Sequence, residues 1–213
     1  MGQRLINALR EVTLVVIDFE YTTPRGYAPE PIEVAVQALR VRDGTLKRAA
    51  QWEALMRPPP HAGMTIFDIN QTGITPDMLA DRPNAGEVLA ELDRRLTAGP
   101  YLLVAHHAPA EARLLFAYRE HCPNLARIDL LDTVRLAKNL YPELPKHGLD
   151  DMLRHLQIPS PPDRHRAMAD VQITTDVFIR IVTDADWADL RQLRRLAGYA
   201  AKAARPEQVT LFS

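Results

Sequence analysis

The sequence predicts an α/β protein: a mixed sheet of five strands with helices on both of its faces. Two observations lead to this prediction. Three predicted strands come first, and helices and strands alternate after them, an order typical of a mixed sheet covered on both sides. The helix predicted over residues 167–183 is apolar almost all round, as expected of a helix packed in the core.

Five stretches have the apolar and β-branched content of strands and are bounded by turn-forming residues. These predicted strands are residues 13–18, a strand beginning at 32–36, then 47–55, 101–105 and 128–131. Gly44 marks the turn between the second and third strands. Three consecutive prolines at residues 58–60 exclude a central strand or a helix interior there, so we predict a loop.

The predicted helices are identified by capping residues and apolar stripes. Thr75 and Pro76 place a hydroxyl cap and a first-turn proline at the start of a short helix. Asn84 caps the next helix, which ends at Gly99. The remaining helices are predicted at residues 109–121, 149–156, 167–183 and 187–204.

The composition is that of an ordinary globular protein. The 213 residues are 46% hydrophobic and 25% charged, which suits one domain with a substantial core, assigned here to residues 1–204. A net charge of −1 argues against coating of nucleic acid by bulk electrostatics. The sequence contains no bilayer-length apolar run, no secretory signal and a single cysteine, Cys122. These features predict a cytoplasmic protein that does not bind membranes.

The end of the first predicted strand carries two carboxylates. Residues two apart in a strand point to the same face, so Asp18 and Glu20 converge on one spot. Two such groups repel each other unless protons or cations compensate them. A strand end that enters solvent would explain an isolated Asp-x-Glu, so the pair becomes informative only if further carboxylates join it.

Two later segments supply further candidates. Glu111 lies in the first turns of the helix after the fourth strand, and Asp170 lies near the start of the core helix, five residues after His165. A solvated helix surface is the plain explanation for Glu111, and helix capping is the plain explanation for Asp170. The three acidic segments have a shared chemistry only if folding brings them together.

Five segments match, in order, the motifs of a known family. They are DFEYTT at 18–23, PIEVAVQAL at 31–39, TGITPDML at 72–79, LPKHGLDDML at 144–153 and HRAMAD at 165–170. On these segments the chain resembles the DEDD exonucleases of the histidine subtype, a family that includes the epsilon proofreading subunit of bacterial DNA polymerase III. The resemblance extends to about residue 182 and implies a ribonuclease H-like fold.

The match is weakest at the second motif of the family, which usually reads Ala-His-Asn-Ala followed by Asp. This chain has AHHA at residues 105–108 and then Glu111. Glutamate binds the same hard cations through a longer and more flexible side chain. We therefore expect Glu111 to replace the usual Asp. The alternative is a catalytically weakened module that binds nucleic acid and is recruited by the sliding clamp.

The resemblance implies a 3′→5′ exonuclease that releases nucleoside monophosphates from single-stranded ends with two Mg²⁺ or Mn²⁺ ions. His165 matches the general base of the family. The residues that match its metal ligands are Asp18, Glu20, Glu111 and Asp170. The residues expected to contact the terminal nucleotide are Phe19, Tyr21, Thr22 and His107.

Residues 205–213 are expected to form a flexible tail. Gln208, Leu211 and Phe212 resemble the short peptide by which bacterial replication and repair proteins bind the sliding clamp. Alternatively, Leu211 and Phe212 fold back onto the protein's own surface. A clamp peptide favours DNA as the substrate. An exoribonuclease is the alternative, because nothing in the sequence recognises a 2′-hydroxyl.

Overall fold

The computed structural model of the protein describes residues 3–97, 99–162 and 164–204. Within these residues, the strands are β1 (Thr13–Tyr21), β2 (Pro31–Arg42), β3 (Thr45–Leu55), β4 (Tyr101–Ala105), β5 (Leu130–Asp132) and β6 (Gly198–Tyr199). They form one sheet in the order β3-β2-β1-β4-β5-β6.

The sheet is mixed, as predicted. Strands β1, β2 and β3 form an antiparallel meander. Strand β4 pairs parallel with β1 and β5 pairs parallel with β4, whereas β6 is antiparallel to β5. The predicted number of five strands is wrong, because the described chain adds the short strand β6. Strand β1 is also longer than predicted, since its pairing with β2 continues past Asp18 to Tyr21.

Helices cover both faces of the sheet, which confirms the predicted α/β architecture. They are α1 (Gln3–Arg10), α2 (Ile66–Thr72), α3 (Pro76–Leu79), α4 (Ala85–Arg95), α5 (Ala108–Ala117), α6 (Thr133–Leu140), α7 (Leu149–Leu156), α8 (Ala167–Asp184) and α9 (Leu190–Ala197). The sequence patterns did not predict α1, α2 or α6. None of the helices in the described part of the chain has the length and apolarity needed to cross a lipid bilayer.

The alternation of side chains along β1 divides the core into two layers. Leu14 and Val16 pack with the core helix α8 and with α1 on one face of the sheet. Ile17 and Phe19 pack with α4 and α5 on the other face. Because the period of a strand is two, Asp18 and Glu20 continue the face of Val16 toward α8. The buried layer thus leads directly into the acidic end of the strand.

The last predicted helix is the largest error of the sequence-based assignment. Residues 187–204 were expected to be one helix, but α9 ends at Ala197 and the chain then pairs with β5 as β6. At Gly198 the backbone turns to an extended conformation, with φ −64° and ψ 135°. A β-carbon at this position would lie 2.2 Å from the carbonyl oxygen of Arg194, so the turn requires glycine.

We predict that Gly198→Ala destabilises the protein by about 1–3 kcal/mol, because the added methyl group overlaps the backbone of α9. Urea unfolding followed by circular dichroism measures this loss. The control is Gly63→Ala, where an added β-carbon meets no atom within 4 Å and the backbone angles suit alanine. Equal stability of the two variants would contradict the prediction.

Candidate active site

The acidic end of β1 forms the floor of a cleft of about 310 Å³. Asp18 and Glu20 both line this cleft, as their shared face requires. Glu20 is only 8% exposed and lies opposite Glu33 on β2. The strand register shifts between Glu20 and Tyr21, so the regular pairing of β1 with β2 is interrupted directly after the second carboxylate.

The start of α5 forms a second wall and carries Glu111. His107 precedes the helix in the left-handed conformation, with φ 78°, and its amide donates to Asp132 at 3.2 Å. Asp132 also caps α6 by accepting from the amide of Val134 at 2.9 Å. This turn directs Glu111 into the cleft, where the side chain is buried. Its Oε2 atom has no hydrogen-bond partner in the described structure.

The start of α8 forms the third wall and carries Asp170 in its first turn. Glu33, which is 2% exposed, fixes this helix start from β2. It accepts hydrogen bonds from Nε and Nη2 of Arg166 and from the amide of Ala167, the last at 2.8 Å. His165 precedes these residues with a left-handed φ of 67°. Glu33 therefore fixes Arg166 and Ala167 at the start of α8, directly after His165.

Three potential ligands of one cation come together in the cleft. Ligand atoms of Glu20, His165 and Asp170 all lie within 4.8 Å of one another. The Nδ1 atom of His165 is 3.5 Å from Nε2 of Gln71, which lies on α2. His165 was expected to act as a base, and its place among the carboxylates also puts it within reach of a shared ion.

The cleft has an excess of negative charge, and the pKa values show its effect. Burial raises the pKa of Asp18 well above its ordinary range, and the charges of Glu111, Asp170 and Glu20 raise it further. Burial, then Asp170, raises the pKa of Glu20 to about 8. Burial raises the pKa of Glu111 to about 8 as well. The guanidinium of Arg164 acts in the opposite direction on Asp18 and Glu20.

Two histidines follow β4 at the same cleft. Burial lowers the pKa of His106 to about 4, so its imidazole is neutral near pH 7. Its Nδ1 atom lies 2.8 Å from the hydroxyl oxygen of Thr133. His107 is exposed and lines the cleft at the start of α5. His106 therefore adds no fixed positive charge that would balance the carboxylates.

Aromatic side chains form the open rim of the cleft. Tyr21 is 40% exposed and Phe67 is 65% exposed, and both line the cleft. Helix α2 is attached to the end of β1 through Asp68, which accepts from the amide of Thr23 at 3.2 Å and from that of Thr65 at 2.7 Å. This connection holds Phe67 beside the extension of the strand that carries the acids.

Most of the predicted site residues lie along this cleft. Those that line it are Asp18, Phe19, Glu20, Tyr21, His107, Glu111, His165 and Asp170. Thr22 does not belong in this group, because its side chain is fully buried and its hydroxyl accepts from the amide of Glu30 at 3.2 Å. The exposed Thr23 lines the cleft instead. The predicted clamp-binding residues Gln208, Leu211 and Phe212 lie outside the described residues and stay a prediction.

Sequence reasoning missed the residues that position the site. Glu33 was part of a recognised segment, yet its role was not predicted. A charged residue inside the apolar run IEVAV was the available signal. Phe67, Asp68 and Arg164 gave no such signal, because exposed aromatic and charged residues in predicted loops are common.

Comparison with known proteins relates the cleft to a family. The RNase_T family, described as Exonuclease, matches residues 15–178, which include all four carboxylates and His165. The chain belongs to this exonuclease family. The resemblance predicted from the sequence motifs is thereby confirmed.

Relatives and solved structures of the exonuclease domain agree. This chain is 32% identical over 179 residues to a PolC-type DNA polymerase III of Bacillus subtilis. The aligned region covers 83% of this chain and 12% of the polymerase. Exonuclease X in complex with 5′ overhanging duplex DNA has a TM-score of 0.62 and 23% identity, covering 86% of this chain and 98% of that chain. The nuclease domain of 3′hExo, a DEDDh family member bound to rAMP, has a TM-score of 0.67 and 21% identity. That likeness covers 82% of this chain and 94% of the 3′hExo chain. The likeness to these two solved structures shows a shared ribonuclease H-like fold. This chain spans only a small part of the length of the polymerase.

The raised pKa of Glu111 predicts an unusual pH dependence of stability. Between the ordinary value of 4.5 and about 8, the folded protein keeps a proton on this group that the unfolded chain releases. The free energy of unfolding of the exonuclease domain in EDTA should therefore fall as the pH rises from about 4.5 to about 8. Each such group contributes a slope of at most about 1.4 kcal/mol per pH unit.

Urea unfolding at several pH values measures this slope. Glu111→Gln should make it shallower, because glutamine does not titrate. Glu53→Gln, at an exposed position on β3, is the control and should leave the slope unchanged. If stability changes with pH equally in the unmodified protein and in Glu111→Gln, the raised pKa that burial gives Glu111 is contradicted.

The contacts of Glu33 predict that Glu33→Gln destabilises the exonuclease domain by about 1–3 kcal/mol, because Arg166 loses its buried charged acceptor. Thermal unfolding measures this loss. The control Asp176→Asn removes an exposed ion pair with Arg48 and should change stability by less than about 1 kcal/mol. Similar losses in both variants would argue against the positioning role of Glu33.

Proposed function

We propose that the protein is a metal-dependent 3′→5′ exonuclease that releases nucleoside monophosphates from single-stranded DNA ends. The single observation that supports this most strongly is the set of four carboxylates along one cleft with His165 beside them. The carboxylates come from three separate segments of the chain: the end of β1, the start of α5 and the start of α8.

The chemistry of the cleft fits divalent metal ions with oxygen ligands. The pKa values of Asp18, Glu20 and Glu111 are raised, so the carboxylates lack sufficient positive charge. The buried Oε2 atom of Glu111 has no protein partner among the described residues, as expected of an oxygen that binds an ion. We propose that Asp18, Glu20, Glu111 and Asp170 hold two Mg²⁺ or Mn²⁺ ions. When bound, such ions lower the pKa of an attacking water and stabilise charge on the departing oxygen.

His165 is proposed to accept the proton of the attacking water as the general base. It lies on the loop directly before α8, within reach of Glu20 and Asp170. Gln71 approaches its Nδ1 atom and could orient the ring from the opposite side of the cleft. The left-handed backbone at this residue turns its side chain into the cleft while Asp170 follows on the first turn of the helix.

The rim of the cleft is suited to an unpaired nucleotide. Exposed Tyr21 and Phe67 offer aromatic faces on which bases can stack, and such contacts do not depend on base sequence. Phe19 and His107 complete the lining near the acids. The proposed terminal-nucleotide site therefore consists of these four residues together with Thr23, which replaces Thr22 of the sequence-based prediction.

DNA is the proposed substrate because relatives of this chain by sequence are PolC-type DNA polymerases. The 3′hExo nuclease domain was solved with rAMP, so a ribonucleotide fits the same fold in that protein. An exoribonuclease is therefore the second candidate. Retention of the Glu111 carboxylate, whose buried Oε2 atom has no partner among the described residues, argues against a catalytically weakened binding module, since such a module has no use for that group.

Degradation of matched oligonucleotides tests the proposed function. A 5′-labelled single-stranded DNA should shorten stepwise in Mn²⁺ or Mg²⁺, and EDTA should stop the reaction. Asp18→Ala should slow the reaction at least about a hundredfold, because a proposed metal ligand is lost. Asp186→Ala, at an exposed position outside the cleft, should leave the rate unchanged.

An RNA of the same sequence distinguishes the candidates. Faster shortening of RNA than of DNA would favour the exoribonuclease. Binding of both oligonucleotides without any metal-dependent shortening would contradict the enzyme and leave the binding module.

A further inference from the structure

Arg164 is placed between the acidic cleft and the surface of α7. Its Nη1 atom donates to Oδ1 of Asp170, one of the proposed metal ligands. Its Nε and Nη2 atoms donate to Oδ1 of Asp150 on α7 at 3.0 and 2.9 Å. The Arg164 side chain is only 15% exposed, whereas that of Asp150 is 62% exposed. One guanidinium thus joins a carboxylate of the cleft to a carboxylate at the surface.

The charge of Arg164 acts on the cleft beyond its direct contacts. Burial and neighbouring carboxylates raise the pKa values of Asp18 and Glu20, and the positive charge of Arg164 lowers them. Arg166 also acts on Glu20, but its guanidinium is held by Glu33. Arg164 directly contacts a carboxylate of the proposed metal site, that of Asp170.

We propose that Arg164 is a built-in counter-ion of the candidate metal site, which competes with divalent cations for Asp170 and is retained by Asp150 when they bind. This inference rests on the proposed function, since it concerns the same carboxylates. A guanidinium and a divalent cation both require lone pairs and negative charge from Asp170, so each reduces the affinity of the other.

The contact with Asp150 gives the guanidinium an alternative anchor. Arg164 already makes two hydrogen bonds there, so releasing Asp170 does not strand its charge. The planar guanidinium suits two carboxylates at once because its donors point in several directions.

Binding of Mn²⁺ alone, measured by electron paramagnetic resonance and calorimetry without nucleic acid, tests this inference. Arg164→Ala should bind Mn²⁺ about tenfold more tightly than the unmodified protein, because the competing charge is removed. In EDTA the same variant should unfold at a lower temperature near pH 8, since the carboxylates lose their counter-ion. Arg154→Ala, which removes an exposed pair with Asp151 on α7, is the matched control and should change neither value.

Asp150→Asn tests the anchor separately. It should weaken Mn²⁺ binding several-fold, because Arg164 then has only Asp170 as a partner. In the double variant with Arg164→Ala, the Asp150→Asn change should have no further effect. If Asp150→Asn lowers the affinity as much in the double variant as it does alone, Asp150 acts through its own charge and the anchor role is overturned.

The two proposals fail in different ways. If the unmodified protein binds Mn²⁺ but Arg164→Ala binds it equally or more weakly, the counter-ion inference is overturned and the proposed exonuclease stands. If the unmodified protein binds no Mn²⁺ and shortens no oligonucleotide, the proposed function itself is overturned, and the inference about Arg164 falls with it.

Discussion

Mutual repulsion among carboxylates at the end of one buried strand is the constraint around which this structure is organised. Burial is the main cause of the raised pKa values of Asp18, Glu20 and Glu111, and repulsion from neighbouring carboxylates raises those of Asp18 and Glu20 further, because like charges repel strongly where water is excluded. Strand β1 holds Asp18 and Glu20 close together because β2 pairs with it through both residues and β4 pairs with it up to Val16. A strand fixed by two neighbours cannot move its side chains apart to relieve the charge.

A second set of acids supports the first. Asp132 fixes the turn before α5, Glu33 fixes the start of α8 and Asp68 attaches α2 to the end of β1. Each of these carboxylates accepts several hydrogen bonds from backbone amides or an arginine, so its burial is compensated within the protein. The Oε2 atom of Glu111 has no such partner in the described structure. Hydrogen bonding thus distinguishes the acids that build the site from Glu111, whose Oε2 atom is available to a ligand.

Glu111 and Arg164 together define how this cleft differs from a simple set of four acids. The glutamate stands where the resembling family usually has aspartate, and its longer side chain still enters the cleft from the first turn of α5. Arg164 adds a positive charge that is shared between the cleft and α7. The charge of the cleft is therefore set by the carboxylates of the family motifs and also by Arg164, which directly precedes the HRAMAD segment.

The sequence by itself determined the fold class, the paired carboxylates of β1 and the motifs that carry Glu111, His165 and Asp170. These features are local, because strand periodicity and motif spacing depend on neighbouring residues. The end of α9 at Ala197 was not predictable, since the helical pattern continued and the pairing of β6 with β5 ended the helix.

Only the tertiary structure decided which residues hold the site in place. The contact between Glu33 and Arg166 joins residues 133 positions apart, and the contact between His107 and Asp132 joins residues 25 apart. Thr22 and Thr23 are equivalent as residue types, and the departure of the chain from the sheet decided which of them faces the cleft. Contacts between distant segments depend on how the helices pack on the sheet, which no local pattern of residues specifies.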